Sequence, residues 1–362
     1  MSSSWGTHIK LSIFGESHGG GIGAVLDGIP AGEAIDLDAL HAFAKRRAPG
    51  NSLASTARKE EDLPEILSGL VNGITCGTPL AAVIRNTDTR SQDYRRTQTL
   101  ARPGHADYTG YLRYGGHNDI RGGGHFSGRL TAPLVFAGGI CKQILEHRGI
   151  FIGAHLLAIH GVQDSPFDPV HLSQEELLCA GKRDFPVLDE QAGHRMQVEI
   201  EKARLACDSV GGTIECAVLG LPAGVGSPMF DGVENVLSSI LFGIPAVKGL
   251  EFGEGFGVSS LFGSENNDAF YMDGEEVKTR TNRHGGILGG ITSGMPLILR
   301  VAMKPTPSIA KEQQTIDYVH RQDASLSIVG RHDPCLAVRA VPCVEAAVAV
   351  GLLELLCMHG RI

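Results

Sequence analysis

Apolar and polar residues alternate at Ile9, Leu11 and Ile13, which predicts a strand running straight into the glycine-rich segment GESHGG at 15–20. Leu37, Leu40, Phe43 and Ala44 then fall at helical spacing behind Asp36, a good N-cap residue. Lys45, Arg46 and Arg47 meet the negative end of that helix before Pro49-Gly50 stops it. A strand is predicted at 80–85, followed by a long run of turn-forming sequence from NTDTRSQDY to RGGGHFSGR. The span 131–148 reads as a largely buried helix, with Pro133 in its first turn and Gly149 beyond its end.

The span 160–190 is hydrophobically thin, and its short helix, opened by Ser173 with Glu176 as capping-box partner, predicts an excursion from the main body. Ile214, Cys216 and Val218 alternate in another strand. Val233, Val236, Leu237, Ile240 and Leu241 form a helical stripe that stops before Pro245. GEGFG (253–257) and GGILGG (285–290) are glycine turns, 296–303 reads as a strand, and 342–358 as a helix apolar on most sides. Strands and helices interleave with no repeat and no low-complexity linker. One α+β body over 1–362 is therefore predicted, not two tethered domains.

Composition narrows the function. The net charge of −8 makes the whole molecule a poor electrostatic match for nucleic acid, so arginines that bind anions must act locally. Aromatic content of 6% argues against a stacking platform for sugars or single strands. The eight cysteines show no C-x-x-C, and most sit in apolar stretches and read as buried small hydrophobes in a reducing compartment; no zinc pattern occurs and no metal site is expected. MSSSWGTHIKLSIF lacks the pattern of a signal peptide. The most apolar segment, 344–358, is interrupted by Glu345, Gly351 and Glu354 and reads as too short to span a bilayer. A soluble, cytoplasmic protein with no membrane or nucleic-acid partner is expected.

Glycine, 48 residues of 362, is the outlier and signals many tight turns and close backbone approaches. Four of the glycine- or proline-rich segments put a histidine near an arginine or a carboxylate: GESHGG, RPGHAD (102–107), RGGGHFSGR (121–129) and RHDPC (331–335). Together they point to acid–base chemistry on a polyanionic small molecule. GESHGG contains G-x-S-x-G, which fits a nucleophile elbow at Ser17 or a plain strand-to-loop turn; too few strands precede it for the hydrolase fold. The three glycines of RGGGHFSGR lead into a helix N-terminus, either an anion site flanked by Arg121 and Arg129 or an ordinary turn. Arg102, His105 and Asp107 surround a Pro-Gly turn that has no structural need of a histidine. Asp333 is placed to act as a base or to orient a neighbour.

GESHG, RPGHAD, GGG-x-x-S-x-R, IPAVKGLEFGEGF, GGILGGITSG, MKPTPSI and RHDPC-x-x-x-RAVP occur in the order seen in chorismate synthases, from residue 15 to 342. The chain resembles that family. The resemblance implies a β-α-β sandwich, with helices packed between antiparallel sheets, and a homotetramer. It implies a lyase that converts 5-enolpyruvylshikimate 3-phosphate to chorismate and phosphate by 1,4-elimination, with reduced FMN and no net redox change. Competing readings are a serine hydrolase using Ser17 and a non-catalytic FMN- or anion-binding protein. By resemblance, His105 stands near the substrate phosphate, His18 serves the flavin as an acid toward N1, and Asp333 lies near flavin N5. Ser17 and Ser127 tune these contacts. Arg47, Arg102, Arg129 and Arg339 anchor the substrate. FMN falls to His125, Phe126, Ser127, Ala246, Gly289, Lys304, Pro305, Thr306, Pro307, Ser308 and Arg331, with Lys304 and Ser308 at its phosphate. Members reduce the flavin with NADP(H) or take it reduced from an external flavin reductase; no appended reductase domain is visible, which favours the external source.

Several positions depart from the commoner family pattern. His125-Phe126 stands where Arg-Ser is frequent, Leu130 where Glu is usual, Ala48 and Leu53 where arginines often lie, and Pro245 where Asn is common. These changes imply less positive charge at the anchor loop, with protonated His125 expected to replace part of a missing arginine.

Overall fold

The computed structural model describes residues 3–48, 62–87, 98–328 and 333–362. Among them, one antiparallel five-stranded sheet runs in the order β1 (Ser4–Trp5), β2 (Lys10–Gly15), β3 (Gly21–Asp27), β7 (Leu80–Arg85), β4 (Glu65–Ser68). A second five-stranded antiparallel sheet has the order β11 (Val247–Phe252), β16 (Leu297–Met303), β10 (Gly212–Leu219), β8 (Phe151–Ile159), β9 (Val162–Gln163). Short ribbons pair β5 (Leu70–Val71) with β6 (Ile74–Thr75), β12 (Phe270–Asp273) with β13 (Glu276–Thr279), β14 (Ile287–Leu288) with β15 (Ile291–Thr292), and β17 (Gln313–Asp317) with β18 (Gln322–Leu326).

The helices are α1 (Leu37–Arg47), α2 (Asp107–Tyr114), α3 (Thr131–Glu146), α4 (Gln174–Cys179), α5 (Glu190–Leu205), α6 (Val233–Leu241), α7 (Gly263–Asn266) and α8 (Ala337–Met358). Helix α3 packs on β3 and β7, α8 packs on β8 and β10, and the two helices pack on each other. The core is therefore a helical layer enclosed by the two sheets, the expected α+β sandwich. Gly138 makes the central helix crossing possible: a Cβ there would lie 2.4 Å from Ala346 Cα. Bare backbone lets the helices approach closely and widens the area each buries.

Helix α8 is nearly all apolar, so its carboxylates need partners. Glu345 meets Arg46 and Lys142, each at 2.5 Å. Burial alone would raise the Glu345 carboxyl, but these two cations hold it at about 2. Glu354 accepts from the backbone N–H groups of Thr7, His8 and Ile9, tying the N-terminal segment to the core helix. By length and composition α8 is long and apolar enough to cross a membrane, correcting the reading of 344–358 as too short. Its apolar window is 89% buried inside the protein, so what it covers is the core.

Several predicted elements form as read: Asp36 caps α1 by accepting from the N–H of Asp38 and Ala39, and β7 spans the expected residues. Helix α8, however, starts at Ala337, with Pro342 inside it. Helices α2 and α5 went unpredicted. Gly110 sits mid-helix in α2, and α5 buries only the narrow stripe Ala192, Gly193, Met196 and Ile200. The excursion at 160–190 has a small core of its own: Phe167, Leu172 and Leu177 pack with Ala217 and Ile298 of the second sheet.

Candidate active site

A cleft of about 890 Å³ opens where the β2–β3 turn, the 102–107 turn, the triple-glycine loop, the end of β16 and the start of α8 converge. His18, His105, His125, Arg47, Arg102, Arg129, Arg339 and Asp333 all line it, although they come from five separate stretches of chain. Its other face is apolar, with Leu11, Ile13, Leu134, Ile240, Ile244 and Met303.

The loop before α3 is shaped by three successive left-handed glycines, Gly122 (φ 65°), Gly123 (φ 113°) and Gly124 (φ 54°). A Cβ on Gly122 would fall 2.0 Å from Nδ1 of His18, so the imidazole occupies the space that a side chain would take. Ser17 is buried behind it and donates from Oγ to the Arg121 carbonyl at 3.2 Å. That leaves the Ser17 oxygen to accept from His18 Nδ1 at 3.1 Å. Ser127 caps the last turn before α3 by accepting from the N–H of Arg129 at 3.2 Å.

His105 is set by its neighbours. Its Nδ1 is 2.7 Å from Oδ1 of Asp107, and Arg102 donates to the same carboxylate from Nε (2.7 Å) and from a terminal nitrogen (2.6 Å). Burial pushes the Asp107 carboxyl up, but hydrogen bonds from Arg102 and His105 outweigh it and hold the group far below the usual carboxylate range.

Arg47 and Arg129, both buried, clamp the buried Asp62 from two sides; Arg47 is 2.5 Å from Oδ2, and Arg129 bonds Oδ1. Arg47 also donates to Thr131 Oγ1 and to the Gly128 carbonyl, each at 3.0 Å. Arg339, in the first turn of α8, donates to Asp333 at 2.6 Å and to the Arg47 carbonyl at 2.9 Å. Thr306 steadies this end by donating to the Asp333 carbonyl at 2.6 Å. The result is a network of guanidinium groups already oriented by carboxylates.

Lys304, Thr306, Pro307, Ser308, Ala246, Phe126 and Ser127 also line the cleft. Lys304 is anchored on the Gly104 carbonyl; burial, and to a lesser degree the charge of Lys248, lower its pKa. Ala246 adopts φ 78°, a strained value for a residue with a side chain. Gly289 (in the β14–β15 turn), Pro305 and Ser17 are not among the lining residues, and Arg331 and Leu53 lie outside the described residues. His125 lines the cleft with both nitrogens engaged, Nδ1 on the Gly15 carbonyl at 2.8 Å and Nε2 on Ser3 Oγ at 2.7 Å. The ring thus ties the glycine loop to the first sheet. Leu130 joins an apolar cluster with Ile22, Ile84 and Ala132, and Phe126 lies 6.1 Å from the Tyr114 ring. Asp62 and Trp5 were not picked out because no motif marks them, and Asp107, although inside RPGHAD, was not given a site role; the contacts of all three come from the fold.

The family model for chorismate synthase matches residues 9–357. The chain belongs to the chorismate synthase family. It is 44% identical over 367 residues to the chorismate synthase of Lancefieldella parvula, covering 98% of this chain and 96% of the relative. It is 45% identical over 349 residues to that of Thermococcus kodakarensis, covering 96% of each. A chorismate synthase crystal structure superposes with a TM-score of 0.76 at 26% identity, covering 98% of this chain and 93% of that one. The chain is accordingly a carbon–oxygen lyase of the shikimate pathway, converting 5-enolpyruvylshikimate 3-phosphate to chorismate and phosphate, in a family that uses a reduced flavin. The hydrolase reading falls: Ser17 is buried in a turn between antiparallel strands, and no helix follows it.

Gly122→Ala is expected to keep the fold and cut turnover by about a hundredfold, since a misplacement of about 1 Å has that effect. The methyl would have to displace His18, and the left-handed backbone adds strain. Steady-state kinetics beside a thermal melt reads both effects; wild-type turnover would show that His18 need not hold its place.

Proposed function

We propose that the cleft binds reduced FMN and 5-enolpyruvylshikimate 3-phosphate side by side, the flavin against the apolar face and the substrate anions toward the arginines. One observation carries this reading: a single cleft joins an apolar wall to Arg47, Arg129 and Arg339, three histidines and Lys304. The donor set fits both molecules, because a flavin needs an apolar slot and a cationic end for its phosphate, and the substrate brings two carboxylates and a phosphate. When bound, reduced flavin supplies electron density transiently to an elimination without net redox change.

The protein's own groups bind and move protons. Arg47, Arg129 and Arg339 hold the carboxylates and phosphate by charge-assisted bonds. His105 gives its Nε2 proton to the departing phosphate oxygen, whose developing charge the arginines also meet. With flavin bound, His18 would serve as an acid toward it, Asp333 would lie beside it, and Lys304 with Ser308 would hold its phosphate. Ser17 and Ser127 hold His18 and the loop. His125 ties the glycine loop to the N-terminal sheet through both ring nitrogens. The working form is a cytoplasmic homotetramer that takes its flavin reduced from an external reductase; the family resemblance supports the tetramer.

The test mixes the protein anaerobically with reduced FMN and 5-enolpyruvylshikimate 3-phosphate and follows phosphate release and chorismate absorbance. Trp5, the chain's one tryptophan, lines the cleft, so FMN titration should quench its fluorescence in step with binding. Saturable FMN binding that leaves Trp5 emission unchanged would place the flavin elsewhere.

A further inference from the structure

Asp62 is not among the residues that line the cleft, yet both of its carboxylate oxygens are spent on arginines that do line it. Oδ2 accepts from a terminal nitrogen of Arg47 at 2.5 Å, and Oδ1 accepts from a terminal nitrogen of Arg129. Arg47 is fixed from two further directions, by Nε on Thr131 Oγ1 and by its other terminal nitrogen on the Gly128 carbonyl. Arg129 donates from Nε to Asn86 Oδ1 at 3.1 Å. That amide is itself oriented, because its nitrogen donates to the Glu16 and Gly19 carbonyls at 2.9 and 3.0 Å. Only 1% of the Asp62 side chain is exposed, and 4% of each arginine's. Three charges withdrawn this far from water are costly, and apolar groups of similar volume often serve stability as well or better. The triad therefore needs a reason beyond folding, and its position supplies one. Two cations meet the cleft, and the carboxylate they share is buried where the substrate cannot touch it.

We propose that Asp62 is a positioning residue for substrate binding: by dividing its oxygens between Arg47 and Arg129, it holds both guanidinium groups in place before the substrate's anions arrive. Anchors that are already oriented lose little freedom when an anion docks, so less of the interaction is spent on ordering them. Two guanidinium groups share one carboxylate, so the triad keeps a net positive charge and still attracts an anion. Asp62 acts through the two arginines and stays in place when the substrate binds. This inference rests on the reading of Arg47 and Arg129 as substrate anchors.

Calorimetric titration with 5-enolpyruvylshikimate 3-phosphate in the presence of oxidised FMN reads affinity without turnover. Below its melting temperature, Asp62→Asn should weaken substrate binding by about 10- to 100-fold, the usual effect of losing a partner that orients a ligand-binding group. KM should rise by the same factor with kcat nearly unchanged, and FMN affinity, read by Trp5 quenching, should not move. In a background carrying Arg47→Met and Arg129→Met, the same substitution should change substrate affinity by less than about twofold, because the groups it orients are gone. An equal loss in both backgrounds would show a structural role and overturn the proposal. Unchanged or tighter binding by Asp62→Asn would also overturn it, tighter binding because the carboxylate would then be competing with the substrate. Should Asp62→Asn not fold, the ¹⁵N-arginine spectrum of the native protein decides. Separately resolved, slowly rotating terminal nitrogens are expected for Arg47 and Arg129 before substrate is added, and averaged ones overturn the proposal. Native substrate affinity in the Arg47→Met, Arg129→Met variant would instead remove the anchor role beneath it, while the spectrum would still report two held guanidinium groups.

Discussion

Replacing His105 with alanine is expected to lower kcat for chorismate formation by about 10²- to 10⁴-fold, the usual contribution of a positioned general acid. The residue lines the cleft, partly buried, with Nδ1 committed to Asp107, which leaves Nε2 as the nitrogen able to meet substrate. Phosphate is a demanding leaving group when it departs with its full charge, and a proton at the bridging oxygen relieves that charge as the C–O bond lengthens. The arginines remain in the variant, so residual turnover above the uncatalysed rate should persist. FMN binding, read by Trp5 quenching, should be unchanged. A pre-steady-state trace locates the loss: phosphate release should slow while the binding phase keeps its rate. A variant with native kcat would show that the leaving group departs without this histidine.

Asp62→Asn should cost about 3–5 kcal/mol of stability, the range for breaking a buried ion pair from one side. Asp62 is 4% exposed and is held by two guanidinium groups that are themselves buried, so neutralising it removes the carboxylate that Arg47 and Arg129 share. Asparagine suits the test because Asp62 adopts φ 52°, a left-handed conformation that asparagine tolerates and alanine does not. Burial raises the Asp62 carboxyl, but Arg47 and Arg129 prevail and lower it. A carboxyl depressed on folding contributes stability that is complete above its unfolded pKa, about 4, and is lost as pH falls through the folded value. Urea unfolding should therefore show the full gap between wild type and variant at neutral pH and a shrinking gap in acid. A gap that does not vary with pH would mean that the loss comes from packing and not from charge. Added substrate should restore part of the stability by mass action, since its anions supply the missing negative charge.

The asymmetry between these residues shows what sequence reading reaches. His105 was visible because a histidine beside a Pro-Gly turn has no local structural purpose, and because seven motifs stood in family order. Asp62 carries no such mark: it lies in a stretch of mixed charge, and nothing local separates it from Glu60 or Glu61. Its importance appears only when α1 and the segment after the glycine loop bring Arg47 and Arg129 to it from opposite sides. Asp107 is similar. It belongs to a legible motif, but its grip on both Arg102 and His105 depends on the backbone turning at Gly104.

His125 makes the same point in the other direction. By residue type it resembled the other site histidines and stood in for an absent arginine. Its two ring nitrogens are instead spent on Gly15 and Ser3, which join the glycine loop to the N-terminal sheet. Leu130, in place of a usual carboxylate, finishes an apolar cluster beneath the same loop. Leu130 and His125 thus both pack the glycine loop against the first sheet.

By itself the sequence determined the α+β class, most of the long elements, the four histidine-bearing loops and the family, because periodicity, caps and ordered motifs are local properties of a chain. Tertiary structure decided which charges face ligand and which face one another. It placed Arg102 on Asp107, Arg47 and Arg129 on Asp62, and Arg339 on Asp333. The reason is physical: a hydrogen bond is satisfied by whatever donor and acceptor the fold brings within about 3 Å, and no spacing along the chain records that distance.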